Sequence, residues 1–186
     1  MAMYLNTIIV WALILLSNSA LAEQHHEHRE LGAHEHGIGS LNLVMEDKQL
    51  KVYLESPAVN LLGFEHQPHS SNEQKRLDYV LNQLKKPDQV INVEGGECRL
   101  THYQVSNPFD QVISYESLDK QPSSDEHSDF DVEYLYTCQQ PLALTSITIS
   151  LFDSFNGFDS LHAQWIINST SGAAVFDKHQ NVLKVK

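Results

Sequence analysis

Apolar and polar residues alternate along residues 41–54, on both sides of a short polar stretch at residues 46–49. The apolar positions of the two runs are Leu41, Leu43, Met45, Leu50, Val52 and Leu54. Successive side chains of a strand point to opposite faces, so a period of two indicates a strand with one buried face. The two runs therefore predict an antiparallel hairpin.

A helical period follows, with apolar residues three and four positions apart at Leu77, Val80, Leu81 and Leu84. Ser70 and Glu73 have the spacing of a capping box, which satisfies free N–H groups at the start of a helix. Pro87 prevents continuation of the helix. We predict one amphipathic helix at about residues 71–86, preceded by a connecting segment at residues 60–69.

The remainder of the chain favours strands. The candidate segments are residues 90–93, 98–105, 130–138, 147–151, 161–167 and 182–185. The polar, acidic residues 120–128 are expected to form an exposed loop. Together these patterns predict an α+β fold, mostly antiparallel sheet with one packed helix.

The chain begins with a pattern typical of export. An apolar run at residues 8–16 precedes Ala20-Leu21-Ala22, which is the order of a secretory signal and its cleavage site. We expect residues 1–22 to be a signal peptide, residues 23–37 a mobile His-rich segment, and residues 38–186 a single periplasmic domain. An uncleaved membrane anchor is the alternative, because residues 1–7 contain no lysine or arginine.

The formal net charge of −12 narrows the class of partner. Such an acidic chain repels nucleic acid and anionic membrane surfaces, so we expect neither as a partner once the signal is removed. Small cations are the more natural ligands.

The two cysteines, Cys98 and Cys138, are expected to form one disulfide. An even number of cysteines in an exported chain favours pairing in an oxidising compartment. Two thiolate metal ligands are the alternative, which the lack of C-x-x-C spacing disfavours.

Histidine is the residue type that points to chemistry. Of eleven histidines, five lie within twelve residues that also contain several glutamates: His25, His26, His28, His34 and His36. Imidazole suits zinc, copper and nickel, and carboxylates complete or support such sites. In an extended backbone the side chains of His34 and His36 leave on the same face. A solvated tail that binds metal only loosely is the alternative for this stretch.

Two smaller clusters are further candidates. Glu65 and His66 are adjacent, and His69 follows three residues later. His127 lies among carboxylates in the predicted loop at residues 120–128. A surface charge pair or a solvated loop is the alternative for each cluster.

No pattern in the chain indicates catalysis, since it contains no G-x-S-x-G elbow, no phosphate-binding glycine loop and no H-E-x-x-H. We therefore expect no enzymatic activity. A metal-dependent enzyme with a site assembled from distant residues is the alternative.

Three segments resemble the ZrgA-type periplasmic zinc-uptake proteins: His34-Glu35-His36-Gly37 before the hairpin, S-P-A-V-N-L-L-G-F-E-H at residues 56–66, and residues 129–138. The resemblance covers almost the whole chain after the signal. It implies that His34, His36, Glu65 and His66 are zinc ligands, and it agrees with a Cys98–Cys138 pair. This chain departs from the family by having only His127 where many relatives carry a long His/Asp-rich insertion, which lowers the zinc capacity expected of that loop.

We therefore expect a periplasmic protein that captures or buffers Zn²⁺ and assists its delivery. The expected recipient is an ATP-driven zinc uptake system or the periplasmic binding protein of that system. The expected site consists of His34, His36, His66 and Glu65, with a mobile outer collector formed by His25, His26 and His28. An envelope structural protein with incidental histidines is the alternative, and copper or nickel in place of zinc is a variant of the main hypothesis.

Overall fold

A computed structural model describes residues 35–109 and 128–185. The strands are, in chain order, β1 (Ile38–Glu46), β2 (Gln49–Pro57), β3 (Ile91–Gly95), β4 (Cys98–Ser106), β5 (Asp129–Cys138), β6 (Leu144–Ile149), β7 (Ser160–Ile167), β8 (Thr170–Phe176) and β9 (Val182–Lys184). The helices are α1 (Ala58–Leu62), α2 (Ser71–Leu84) and α3 (Leu151–Ser154), with short 3-10 turns at Pro87–Gln89 and Pro141–Ala143.

The predicted hairpin is confirmed and forms the centre of a six-stranded sheet, in the order β4-β5-β2-β1-β7-β8. Leu41 lies opposite Leu54, and Leu43 lies opposite Val52, so the apolar positions of both runs share the buried face. A second sheet has the order β3-β6-β9. The apolar side chains of both sheets and of α2 join in one hydrophobic core.

The large sheet is mixed: it is mostly antiparallel, as predicted, with one parallel pair that the strand patterns did not indicate. β1 pairs with β7 in parallel, with Gly39 opposite Leu161, whereas β1–β2, β2–β5, β4–β5 and β7–β8 are antiparallel. A parallel pair needs a long crossover between its strands, and the chain between β2 and β7 provides one. Alternation along a strand indicates which face is buried but not the direction of its neighbour.

The predicted helix is confirmed as α2, with its capping box. The Ser70 Oγ accepts from the Glu73 N–H at 3.2 Å, and the Glu73 Oε2 accepts from the Ser70 N–H at 3.0 Å. The helix ends at Leu84 rather than at residue 86, because the chain turns at Lys85 into the 3-10 turn that begins with Pro87. Leu77, Val80 and Leu84 form its buried face.

The sequence patterns did not predict the short helices α1 and α3 or the edge strand β8. β8 has the uncharged sequence T-S-G-A-A-V-F, which consists mostly of small residues and shows little alternation of apolar and polar positions. Its pairing with β7 defines it, and the Trp165 indole of β7 packs so closely over Gly172 that a Cβ there would lie 2.4 Å from the ring. The contacts that stabilise β8 come from β7, so the sequence of β8 by itself does not indicate a strand.

The predicted disulfide is confirmed between Cys98 at the start of β4 and Cys138 at the end of β5, which face each other in the sheet. Both sulfurs are bonded to each other, so the thiolate metal-ligand alternative is wrong for this structure.

Tyr134 attaches the end of α2 to the sheet. Its hydroxyl donates to the backbone carbonyl of Leu84, and both residues are fully buried. We expect Tyr134→Phe to lower the free energy of unfolding by about 1–2 kcal/mol, because a buried carbonyl loses its partner. Urea unfolding measures this, with Tyr79→Phe on the exposed side of α2 as the control. An equal loss in both variants would mean that the buried hydrogen bond is not the cause.

Candidate metal site

The structure brings two of the predicted ligands into direct contact. His36 Nε2 lies 3.2 Å from Glu65 Oε1, and both side chains reach solvent, with 65% and 39% of their surface exposed. His36 precedes β1, whereas Glu65 follows α1. A nitrogen donor and an oxygen donor from two separate segments therefore meet at one point on the surface.

The buried side chain of Asn60 holds these two segments together. Its Oδ1 accepts from the Gly37 N–H at 2.7 Å, and its Nδ2 donates to the Ile38 carbonyl at 2.9 Å. A second contact of Nδ2, at 3.3 Å, reaches the Ser56 Oγ. The side-chain amide of Asn60 thus makes the backbone hydrogen bonds that a neighbouring strand would otherwise make at the start of β1. These bonds lie directly after His36.

Gly37 allows the chain to turn between His36 and β1. Its φ of +85° lies in the left-handed region, and a Cβ there would lie 2.3 Å from an Asp159 carboxylate oxygen. Its carbonyl accepts from the Asp159 N–H at 2.8 Å and from the Ser160 N–H at 3.1 Å. Only glycine combines this φ with such close packing, so Gly37 anchors the histidine segment to the start of β7.

The short helix α1 directs the chain towards Glu65. It ends at Gly63, whose φ of +88° gives a left-handed cap and whose N–H donates to the Val59 carbonyl at 2.8 Å. Arg76 of α2 donates to the Leu61 carbonyl at 2.6 Å, which satisfies another free carbonyl of α1. Phe64 then packs against the core, so Glu65 follows an anchored residue.

His66 lies in the same loop, and its hydrogen bond defines its tautomer. The Nδ1 atom lies 2.8 Å from the Gln67 carbonyl, which can only accept, so in the neutral ring Nδ1 carries the proton and Nε2 has the lone pair. The ring stacks on Phe64 at 5.1 Å and on His69 at 4.8 Å between centroids. His66 is therefore oriented with one nitrogen able to bind a metal.

Glu73 adds a negative charge beside these imidazoles. Its Oε2 accepts from the His69 N–H at 2.7 Å as well as from the Ser70 N–H. The hydrogen bond from the His69 backbone is the main reason that the pKa of Glu73 is lowered below its ordinary value, and the nearby His66 lowers it further. The carboxylate is therefore ionised wherever histidine is neutral.

Several predicted ligands lie outside the residues that the structure describes: His25, His26, His28, His34 and His127. Within residues 35–109 and 128–185, no group of three or more His, Cys, Asp or Glu side chains is already arranged to hold a metal ion. The described part of the site thus supplies pairs of donors, and four-coordinate zinc needs further ligands or water. The exposed histidines His102, His162 and His179 lie on β4, on β7 and after β8.

A family model described as "ZrgA family zinc uptake protein" matches residues 33–185 of this chain. The chain belongs to the ZrgA family. This confirms the resemblance seen in the sequence and connects the chain with zinc uptake. The matched ZrgA region includes His34 and His36, whereas the first three histidines of the His-rich stretch precede it. No curated protein matches the chain.

Within the described ranges of this ZrgA-family chain, no helix is long and apolar enough to cross a membrane.

The sequence predicts candidate ligands but does not reveal the residues that position them. Asn60 and Gly37 both stand inside the segments that carry the family resemblance, yet neither bears metal-binding chemistry. The sequence predicts Asn60 in a connecting segment, whereas the structure has it in α1 with 3% of its surface exposed, and this burial reveals its role. A polar amide within the apolar stretch A-V-N-L-L was the available signal, because a buried amide must find partners.

Proposed function

We propose that this ZrgA-family chain is a periplasmic zinc-binding protein that captures or buffers zinc and assists its delivery to an uptake transporter. The contact between His36 and Glu65, held by the buried Asn60, is the observation that carries the proposal. Zinc is the cargo, and the protein has no catalytic part in its transport.

The proposed ligands are His34, His36, His66 and Glu65. Imidazole nitrogen and carboxylate oxygen are both ordinary zinc ligands, and zinc accepts four of them in tetrahedral geometry. The structure supports this set by the short distance between His36 and Glu65 and by the lone pair that His66 keeps on Nε2. Because histidine must be neutral to bind, zinc affinity is expected to fall as the pH drops below about 6.5.

Exposure of the donors suits release as well as capture. His36 has 65% of its surface exposed, so a receiving protein can approach the metal without unfolding this domain. We propose an ATP-driven zinc uptake system, or its periplasmic binding protein, as the recipient. His25, His26 and His28 would act as an outer collector, and His127 would add one weak ligand.

The central test is zinc titration of the mature protein in competition with a chromophoric chelator. We expect His34→Ala/His36→Ala/His66→Ala to weaken zinc binding by at least about tenfold, which corresponds to about 1.4 kcal/mol. His36 and His66 are exposed and lie outside the core, so the variant should unfold at nearly the wild-type urea concentration. Unchanged affinity in this variant would refute the ligand assignment.

The matched control removes the same number of histidines elsewhere. His102→Ala/His162→Ala/His179→Ala changes three exposed imidazoles on β4, on β7 and after β8, and should keep the wild-type affinity. A similar loss in both triple variants would indicate diffuse binding by surface histidines. Delivery itself is tested by growth of a gene-deletion strain on chelated medium, complemented with each triple variant.

A further inference from the structure

His66 and His69 form a second pair of metal donors, which shares no side chain with the His36–Glu65 contact. Their rings are nearly parallel, with an interplanar angle of 11° and 4.8 Å between centroids. Both histidines are exposed. His69 is three residues after His66, in a segment that is neither helix nor strand, and the observed stacking is what brings the two rings together.

The backbone around this pair is held in place from both sides. Phe64 stacks on His66 at 5.1 Å and packs against the core. Pro68 fixes its own φ and restricts the residue before it, so the link between the two histidines has few conformations. At the other end, the His69 N–H donates to the Glu73 Oε2 at 2.7 Å. Less conformational entropy is therefore lost when both rings bind one ion.

The geometry of the rings suits one ion after a small side-chain rotation. Two nitrogens that bind the same tetrahedral zinc at about 2.0–2.1 Å are about 3.3 Å apart. Parallel rings 4.8 Å apart reach that separation when they tilt towards each other at one edge. The Gln67 carbonyl orients the His66 ring through Nδ1, the arrangement usual for metal-binding histidines, and leaves Nε2 for the ion.

The surrounding charges favour a cation. The positive end of the α2 dipole lies next to His69 and would repel a cation. The Glu73 carboxylate, bonded to the N–H groups of His69 and Ser70, opposes this effect. Glu65 adds a second negative charge one residue before His66.

We infer that His66 and His69 form a separate two-histidine zinc position, completed by water, beside the position at His36 and Glu65. The inference rests on the proposed function, since it takes zinc as the cargo, and it assigns His66 to a partner other than His34 and His36. Because each of these two neighbouring positions has few protein ligands, a zinc ion can pass from one to the other between capture and release.

The test follows each imidazole by long-range ¹H–¹⁵N NMR while zinc is added to the mature protein, with stoichiometry from calorimetry. We expect the ring resonances of His66 and His69 to shift together, and to do so still in His36→Ala. His69→Ala should bind one zinc ion fewer than the wild type and should abolish the shift of His66. His179→Ala, another exposed histidine beside a turn, is the control and should leave the stoichiometry unchanged.

Each outcome separates this inference from the proposed function. If His36 and His66 shift while His69 does not, and His69→Ala keeps the full stoichiometry, the second position does not exist but the proposed zinc site stands. If no imidazole shifts and no heat of binding is measured at micromolar zinc, both proposals fail.

Discussion

Asn60→Leu is expected to lower the free energy of unfolding of the domain by about 2–5 kcal/mol, because it leaves two backbone groups without partners. The leucine branches at Cγ as asparagine does, although it is larger, and it cannot bond the Gly37 N–H or the Ile38 carbonyl. Asn60 is 3% exposed, so water cannot easily replace the lost amide. Urea unfolding followed by circular dichroism measures the change.

The same substitution tests the connection between fold and site. Without Asn60, the segment that carries His36 is no longer tied to the helix that leads to Glu65, so zinc affinity should fall even at low urea, where the domain remains folded. Asn42→Leu is the control, since Asn42 lies exposed on β1 and should change neither quantity appreciably. A change in unfolding free energy below about 0.5 kcal/mol for Asn60→Leu, which is usual for surface substitutions, would contradict the anchoring role.

Removal of the disulfide by Cys98→Ala/Cys138→Ala is expected to lower the free energy of unfolding by about 4 kcal/mol in the chain-entropy model. The two cysteines are 40 residues apart in sequence, so the bond closes a long loop and restricts the unfolded chain. Urea midpoints with and without dithiothreitol provide the measurement. The wild type should move to the midpoint of the double variant when reduced, while the double variant should not respond to the reductant.

The double variant also separates two roles of cysteine. If the disulfide acts only on stability, zinc affinity should equal that of the wild type under conditions where both proteins are folded. A clear loss of affinity would instead indicate that the ends of β4 and β5 contribute to the site. If the urea midpoint of the wild type does not change on reduction, the disulfide does not stabilise the domain by restricting the unfolded chain.

Local patterns predicted those elements whose stabilising features lie within one segment of the sequence. The alternation at residues 41–54 predicted β1 and β2 because one face of each strand is buried. The capping box of Ser70 and Glu73 predicted the start of α2 because both partners lie within one helical turn. α1 gave no such signal, since its five residues are stabilised by Asn60, Gly63 and Arg76 through contacts that extend beyond it.

The site shows the same division. The residue types of His36, Glu65 and His66, together with the resemblance to the ZrgA family, predict them as zinc ligands, and the family match supports a role in zinc uptake. That His36 contacts Glu65 followed from no pattern of spacing, because they lie in separate segments, and the stacking of His66 on His69 was decided by the fold of their loop. His34, His127 and the three histidines nearest the signal segment remain predictions, because they lie outside the described residues.

By itself, the sequence determined the chemistry: the histidines and carboxylates, the cysteine pair, the hairpin, the capped helix and the likeness to the ZrgA family. Only the tertiary structure decided which donors lie together. The reason is that a metal ligand is recognised by its own side chain, whereas its position depends on residues such as Asn60 and Gly37, which have no metal chemistry. Their hydrogen bonds join segments distant in sequence, and such bonds exist only once the chain has folded.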